Sequence, residues 1–218
     1  MLDKRLEKHI DLLLDRYPGL NTVRNEIINA YLCFEECYQN GGKLLVAGNG
    51  GSASDAEHIV GELMKSFKIK RKVDEEFAGK LRAVDPENGE ILANNLEGTL
   101  KAVALVCHEA LSTAVINDVD GQVVYAQQLY GLADKNDVFL AISTSGNSTN
   151  VIYAAIVAKA KGMKVVGLTG RDGGRLSQIA DITVVVPEQE TYIIQEYHLP
   201  IYHCWCMMLE DKFFGKES

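Results

Sequence analysis

The chain has 218 residues, of which 47% are hydrophobic and 24% charged, and its formal net charge at pH 7 is −8. These values indicate an ordinary soluble protein with a sizeable core, and the negative charge argues against a nucleic-acid partner. No apolar run approaches the roughly 20 residues of a membrane-spanning helix, so no membrane partner is expected. Five cysteines without disulfide or zinc spacing, and no signal peptide at the start of the chain, predict a cytoplasmic location.

Two amphipathic helices are predicted at the start of the chain. One apolar stripe comprises Leu6, Ile10, Leu13 and Leu14, and a second lies within residues 23–33. No strand is at hand to cover either stripe. A late helix is apolar nearly all round, with Ile201, Tyr202, Trp205, Cys206, Met207 and Leu209. Because such helices need partners, we expect a homo-oligomer.

Strands and helices alternate along the rest of the chain. Short apolar runs predict strands at 43–47, 102–106, 138–142, 165–168 and 182–186. Helical patterns lie between them at 122–133, 150–161 and 174–179, and one or two surface helices are predicted around Pro86. The alternation predicts an α/β protein, a three-layer α/β/α sandwich on a five-stranded parallel sheet. No Pro- or Ser-rich linker interrupts it, so residues 1–218 are predicted to form a single domain.

A run of hydroxyl side chains follows the strand at 138–142. It contains Ser143, Thr144, Ser145 and Ser148, and a helical pattern begins immediately after it. Hydroxyls and the first free N–H groups of a helix form a cup for an anion such as phosphate. The alternative is an ordinary N-cap cluster. Four hydroxyls in six residues exceed what capping needs, which favours the anion site.

A glycine-rich turn follows the strand at 43–47 in the same way. It comprises Gly48, Asn49, Gly50, Gly51 and Ser52, with a helix predicted from about Ala53. The turn lacks the Gly-Lys-Ser/Thr of a P-loop and the spacing of a dinucleotide site, so a nucleotide is not the expected ligand. Ligands of parallel sheets bind at the carboxyl ends of the strands, so both loops are expected to meet on one ligand.

Two further features lie on or after the helix that follows the glycine-rich turn. His58 and Glu62 are four residues apart, so they project from one face and can meet on one ligand or metal. The alternative is an ordinary surface pair, but their closeness to the turn favours function. A basic cluster at 65–72 is expected to be a solvated face, and the alternative is a patch that attracts an anionic substrate.

Several motifs together resemble a known family. Residues 143–148 and 162–170 resemble the sugar isomerase (SIS) domain. The glycine-rich turn, Asp55-x-x-His58, Glu62, Gln195-Glu196 and His203 narrow the resemblance to phosphoheptose isomerases. It implies a flavodoxin-like SIS fold, to which the helical patterns add an N-terminal extension (1–40) and a helical insertion (72–101). It also implies a homotetramer with sites at subunit interfaces.

The resemblance also implies an activity and roles for named residues. The activity is interconversion of sedoheptulose 7-phosphate and D-glycero-D-manno-heptose 7-phosphate through an enediol. That chemistry needs a base and a proton donor, and the resemblance assigns Glu62 and His203 as the catalytic pair. The implied substrate-binding residues are Asn49, Gly50, Gly51, Ser52, Glu62, Asn117, Asp118, Ser143, Thr144, Ser145, Ser148 and Gln195.

A zinc site is implied by the same resemblance, with His58, Glu62, Gln195 and His203 as ligands. Nitrogen and oxygen ligands suit Zn²⁺. Gln195 and His203 are eight residues apart, roughly 12 Å along a straight helix, so they cannot both reach one ion from it. Gln195 could precede the helix, Pro200 could bend the helix, or a second subunit could supply one ligand.

Two alternatives to a heptose phosphate isomerase remain. One is a non-catalytic SIS module that senses a phosphosugar or binds a protein, but retention of His58, Glu62, Gln195 and His203 favours an enzyme. The other is an isomerase acting on another phosphosugar. Two departures from the family bear on the substrate. Residues 72–101 exceed the connection expected there, and Ser66 stands where the closest isomerases carry Arg.

Overall fold

A single parallel sheet organises the protein, whose computed structural model describes residues 2–215. The strands lie in the order β2-β1-β3-β4-β5, the flavodoxin-like order. In this register Leu45 of β1 pairs with Val103 on one side and Phe139 on the other. The predicted α/β architecture is therefore confirmed. The strands are β1 (Leu44–Ala47), β2 (Ala102–Ala104), β3 (Val138–Ile142), β4 (Lys164–Thr169) and β5 (Ile182–Val185).

Helices connect the strands and extend the chain at both ends. They are α1 (Lys4–Arg16), α2 (Arg24–Gln39), α3 (Gly51–Met64), α4 (Glu75–Val84), α5 (Pro86–Asn95), α6 (Glu109–Asp118), α7 (Val124–Leu132), α8 (Thr149–Ala160) and α9 (Thr191–Phe214). Two predictions were wrong in detail. The strand expected at 102–106 ends at Ala104, and the helix expected at 174–179 is a 3₁₀ turn, Arg175–Gln178. Within residues 2–215, no helix is long and apolar enough to cross a membrane.

The sheet separates two apolar cores, because successive side chains of a strand point to opposite faces. Leu44 and Val46 belong to the core beneath α1, α2, α3 and α9. Leu45 and Ala47 belong to the core beneath α6, α7 and α8. This arrangement gives the three predicted layers. It also places α3 and α9 side by side on one face of the sheet.

The apolar stripes that suggested an oligomer are covered inside the chain. Leu6 and Ile10 of α1 are fully buried, and α1 packs on α9. Trp205 of α9 is buried against Phe34 of α2, with ring centroids 5.3 Å apart. The argument from uncovered stripes was therefore wrong, because α9 is surrounded by elements of its own chain. The oligomeric state stays a prediction that rests on the family resemblance.

The segment predicted to carry surface helices forms a helical hairpin of α4 and α5. Each helix has an aspartate cap, since Asp74 accepts the Phe77 N–H and Asp85 accepts the Asn88 N–H. Pro86 occupies the first turn of α5, where its missing N–H costs nothing. The two helices pack mainly against each other. The hairpin therefore projects from the body of the protein.

Candidate active site

The serine loop, residues 143–148, turns back on itself between β3 and α8. The Gly146 N–H donates to the carbonyl oxygen of Ser143, and Asn147 Nδ2 donates to the carbonyl oxygen of Ser145. Gly146 has φ +65°, and a Cβ there would collide with the backbone of Gly173. Glycine is required at this turn. The loop is therefore shaped by its own backbone and by the turn after β4.

Helix α8 begins at the serine loop without a side-chain cap. Ser148 makes no capping hydrogen bond, and its Oγ lies 3.1 Å from the Oγ of Ser143. Helix α3 likewise begins after Gly50 with no side-chain cap. In the first turn of α8 the side-chain oxygen of Asn150 accepts the Val151 N–H, but no hydroxyl of the serine loop caps the helix. This disfavours the N-cap interpretation of the hydroxyl cluster and favours an anion site.

The glycine-rich turn is joined directly to the first turn of α8, the helix that follows the serine loop. Asn49 and Asn150 exchange two amide hydrogen bonds, each 2.9 Å long. The hydroxyl of Tyr125 donates to the carbonyl oxygen of Gly48. The two loops therefore lie at the same edge of the sheet, and their meeting on one ligand stays a prediction. Asn150 and Tyr125 were not anticipated, because neither belongs to a loop motif.

Gln195 lies at the same end of α3 as the glycine-rich turn. A Cβ at Gly51 would fall 2.5 Å from Nε2 of Gln195, so the absence of a side chain at Gly51 admits this amide. Gln195 lies inside α9, which begins at Thr191. The possibility that Gln195 precedes the helix was therefore wrong.

His58, Glu62 and His203 meet farther along the same two helices. Nε2 of His58 lies 3.2 Å from Oε1 of Glu62 and 3.4 Å from Nε2 of His203. Nζ of Lys65 lies 3.2 Å from the other oxygen of Glu62. Burial and, to a lesser extent, His58 lower the pKa of His203. We call His58, Glu62 and His203 the histidine cluster. It places a carboxylate between an imidazole and an ammonium group.

The histidine cluster fits zinc in its donor atoms and in two of its distances. Neighbouring ligands of a tetrahedral zinc ion with bonds of about 2.0–2.1 Å lie roughly 3.3 Å apart, close to both spacings around His58. The full set is not preassembled, however. Among residues 2–215, no group of three or more His, Cys, Asp or Glu side chains is arranged to hold a metal ion. Gln195, at the Gly51 end of the helix pair, lies apart from the cluster.

Tyr202 connects the histidine cluster to Asp55. Its hydroxyl donates to Oδ1 of Asp55 at 3.2 Å and lies 3.0 Å from Nδ1 of His58. Burial and the neighbouring Asp55 raise the pKa of Tyr202. Asp55 appeared in the sequence only as part of a motif, and Tyr202 only as an apolar residue of the last helix. Their contact links residues 147 positions apart, which no local pattern reveals.

Comparison with known proteins agrees with this geometry. The SIS domain model matches residues 18–102 and 92–170. A phosphoheptose isomerase of a Nitratiruptor species is 37% identical over 191 residues, 88% of each chain. The chain belongs to the phosphoheptose isomerase family.

Two solved phosphoheptose isomerases share the fold of this family member. The enzyme from Francisella tularensis has a TM-score of 0.74 at 29% identity, covering 95% of this chain and 97% of that one. The enzyme from Neisseria gonorrhoeae has a TM-score of 0.71 at 31% identity, covering 96% and 99%. The match extends over nearly the whole chain.

Other residues lie outside the histidine cluster. Asn117 and Asp118 are exposed in the last turn of α6, where the amide of Asn117 donates to Asp118 at 2.7 Å. Ser52 is buried in the first turn of α3. His198 is fully buried, and its Nε2 lies 3.2 Å from the carbonyl oxygen of Thr169. His198 therefore has a structural role in joining α9 to the end of β4.

The basic cluster at 65–72 is not a fully solvated face, because it contains the buried ion pair of Arg71 and Glu210. Nε of Arg71 lies 3.1 Å from Oε1 of Glu210, an ion pair although the N–H is not directed along a hydrogen bond. The same guanidinium donates to the carbonyl oxygens of Glu62 and Leu63, at the end of α3. The Oγ of Ser66 accepts the Arg71 N–H. Arg71 and Glu210 therefore fix the end of the helix that carries Glu62.

Glu210 also holds the loop that lies against His203. Its carboxylate accepts the backbone N–H groups of Phe67, Lys68 and Ile69. The ring of Phe67 packs against His203, with centroids 5.5 Å apart. A cavity of about 400 Å³ opens beside His203 and Phe67, between α1 and α9. Its lining contains no residue of the serine loop.

Proposed function

We propose that this protein is an aldose–ketose isomerase that interconverts sedoheptulose 7-phosphate and D-glycero-D-manno-heptose 7-phosphate. The proposal follows the names of its relatives. The observation that carries it is the pairing of an anion loop on two uncapped helix starts with a carboxylate held among His58, His203 and Lys65. The loop suits the phosphate, and the carboxylate suits proton transfer.

The reaction requires one proton to move between adjacent carbons of the open-chain sugar. Glu62 removes the proton from the carbon beside the carbonyl, and the electrons of that C–H bond form the enediol. His203 gives a proton to the carbonyl oxygen. It then recovers a proton from the other hydroxyl of the enediol, on the carbon that lost its hydrogen. Glu62 returns its proton to the former carbonyl carbon. The lowered pKa of His203 favours a neutral imidazole, which can exchange protons near neutral pH.

We also propose one zinc ion in each site. His58, Glu62 and His203 would hold it, and Gln195 would complete the set. A bound zinc ion would polarise the sugar oxygens. Because Gln195 lies against Gly51 in its own chain, a second copy is the better source of that ligand. The proposal predicts that a metal-free preparation regains activity when Zn²⁺ is added.

The distance between the two loops and Glu62 supports a site shared between subunits, and we propose a cytoplasmic homotetramer as the family resemblance implies. Gly51 and Glu62 are eleven residues apart on α3, roughly 16 Å along the helix. The phosphorus and C2 of a heptose 7-phosphate are roughly 9 Å apart in an extended chain with bonds of about 1.5 Å. One molecule therefore reaches both groups more readily if they come from different copies.

Mixing two defective variants tests the shared site. Glu62→Gln and Ser145→Ala chains would be unfolded together, refolded and assayed at low substrate concentration. If each site draws these residues from different chains, about a quarter of the sites regain both groups and activity rises above either parent. If both come from one chain, no mixed site is intact and the activity stays at the average of the parents.

A panel of phosphosugars tests the proposed reaction. We expect turnover to be fastest with sedoheptulose 7-phosphate among ketoses and aldoses of five to seven carbons. Faster turnover of a hexose or amino sugar phosphate would replace the proposed substrate and keep the reaction class. Binding of a phosphosugar without turnover, with zinc present, would favour a sensor.

A further inference from the structure

Tyr202 occupies a position that the proposed mechanism does not use. It is 2% exposed and directly precedes His203 on α9. Its hydroxyl lies between Oδ1 of Asp55 and Nδ1 of His58, both on α3 and one turn apart. The rings of Tyr202, His58 and His203 also pack edge to face, with centroids 4.9–5.5 Å apart. The hydroxyl is therefore held in a fixed position.

The numbers of hydrogen-bond donors and acceptors around this hydroxyl determine the tautomer of His58. A carboxylate only accepts hydrogen bonds, and a phenol carries a single hydrogen. When Tyr202 donates that hydrogen to Asp55, its oxygen can only accept from His58. Nδ1 of His58 must then carry a hydrogen. In the neutral ring Nε2 keeps a lone pair, and this atom faces Glu62 and His203.

The buried oxygen of Asp55 supports this direction of the hydrogen bonds, from His58 to Tyr202 and from Tyr202 to Asp55. Its second oxygen, Oδ2, is buried and has no hydrogen-bond partner among the described residues. A buried carboxylate oxygen without a partner is costly, so its retention points to a role for the group. With one oxygen unpaired, the Tyr202 hydroxyl is the side-chain donor to this carboxylate. The chain of hydrogen bonds therefore runs from His58 through Tyr202 to Asp55.

We propose that Tyr202 is a positioning residue that, with Asp55, holds His58 in the Nδ1–H tautomer and aims its Nε2 lone pair at Glu62 and His203. This deepens the proposed function, because it assigns the state of a group in that site. Acceptor atoms at 3.2 and 3.4 Å repel one another unless a cation or a proton lies between them. The tautomer thus prepares the histidine cluster for a metal ion. Outer partners of metal-binding histidines act in this way in general.

Nitrogen NMR of the full-length protein tests the tautomer without any assay of activity. The protein has five histidines, so selective labelling with ¹⁵N-histidine gives a small set of signals, and His58→Gln identifies those of His58. At pH about 8 we expect a hydrogen on Nδ1 and a bare Nε2 in metal-free protein, because the Tyr202 oxygen accepts at Nδ1. In Tyr202→Phe we expect the hydrogen of His58 to move largely to Nε2.

Zinc titration gives a second readout of the same variants. Tyr202→Phe should weaken zinc binding by about 10–100-fold, the usual effect of losing an outer partner. Tyr31→Phe is the matched control, because Tyr31 is fully buried in α2 and its loss of a hydroxyl should change neither the His58 signals nor zinc affinity. Should Tyr202→Phe fail to fold, Asp55→Asn serves instead. Its amide can donate to the phenol and free the phenol hydrogen for Nδ1.

The outcomes separate this proposal from the proposed function. An unchanged His58 tautomer in both Tyr202→Phe and Asp55→Asn would overturn the positioning role. A tautomer shift in a protein that turns over no phosphosugar would support the positioning role and refute the isomerase. Normal turnover together with an unchanged tautomer would support the isomerase and refute the positioning role.

Discussion

The loops at the carboxyl edge of the sheet and the histidine cluster on α3 and α9 are built in different ways. The serine loop is one contiguous stretch, placed by the strand before it and the helix after it. The histidine cluster joins residues 145 positions apart and exists only because α9 packs beside α3. The first region depends on local backbone geometry, and the second depends on the docking of two helices. The two regions should therefore fail differently when they are mutated.

The two regions also differ in the charges they offer. The serine loop offers hydroxyls and helix starts, which are neutral donors that bind an anion without a buried cation. The histidine cluster contains a carboxylate and two imidazoles, and the ammonium group of Lys65 lies beside the carboxylate. Each of these groups has an atom within 3.4 Å of its neighbour. Binding should respond mainly to changes in the loop. Turnover should respond mainly to changes in the cluster.

The largest expected effect is loss of turnover in Glu62→Gln. The amide keeps the size of the side chain and one acceptor oxygen but cannot take up a proton. We expect kcat to fall by about 10²–10⁴-fold, the usual contribution of a general base, with KM little changed. Steady-state kinetics on the best substrate measures both constants.

Glu57→Gln is the control for that variant, because Glu57 is exposed on the same helix, one residue before His58. Its kinetics should match the wild type. Wild-type kcat in Glu62→Gln would remove Glu62 from the mechanism and erase the contrast between the two regions.

Arg71→Met should disrupt the histidine cluster by lowering the stability of the protein. The guanidinium and Glu210 are both almost fully buried, so removing the cation leaves an unpaired buried charge. We expect a loss of about 3–5 kcal/mol in the free energy of unfolding, measured by urea denaturation. A free energy of unfolding unchanged from the wild type would argue against the ion pair of Arg71 and Glu210 as the group that fixes the end of α3.

Ser145→Ala tests the loop region and should act on binding. Ser145 is half-buried, and its Oγ accepts the Asn147 N–H at 3.2 Å. Losing a hydrogen bond to a charged phosphate costs about 1–3 kcal/mol, which corresponds to a KM raised roughly 5–150-fold with kcat preserved. Ser112→Ala on α6 is the control. A fall in kcat at unchanged KM would contradict the division between the two regions.

The same contrast explains what the sequence could predict. Residues 143–148 and 48–52 are local patterns, and the structure keeps both as loops between a strand and a helix. The link from Tyr202 to Asp55 could not be foreseen, because it requires the relative placement of two helices. Arg71 was interpreted as part of a solvated face because its partner, Glu210, lies 139 positions away. The apolar surface of α9 suggested an interface because sequence does not show which elements of the same chain surround a helix.

The smallest expected effect concerns His198, which anchors α9 near the loop region. Burial lowers the pKa of His198 to about 4, and the hydrogen bond with Thr169 opposes that shift only in part. The unfolded chain takes up a proton on this residue below an ordinary pKa of about 6.5, whereas the folded protein does not until about pH 4. Acid therefore favours the unfolded state. The contribution of a neutral His198 is complete above pH 6.5 and is lost as pH falls toward 4.

Urea denaturation at pH 7.5 and 5.5 measures this contribution. His198 should account for a loss of about 1 kcal/mol in the free energy of unfolding between the two values. In His198→Gln, whose amide can still donate to the Thr169 carbonyl, that part of the pH dependence should disappear, whatever the stability of the variant at pH 7.5. The slopes are compared rather than the stabilities, because the other titrating groups contribute equally to both proteins. Parallel slopes would mean that the pKa of His198 is the same in the folded and the unfolded protein. Burial at the contact between α9 and β4 would then not disfavour the charged form of this residue.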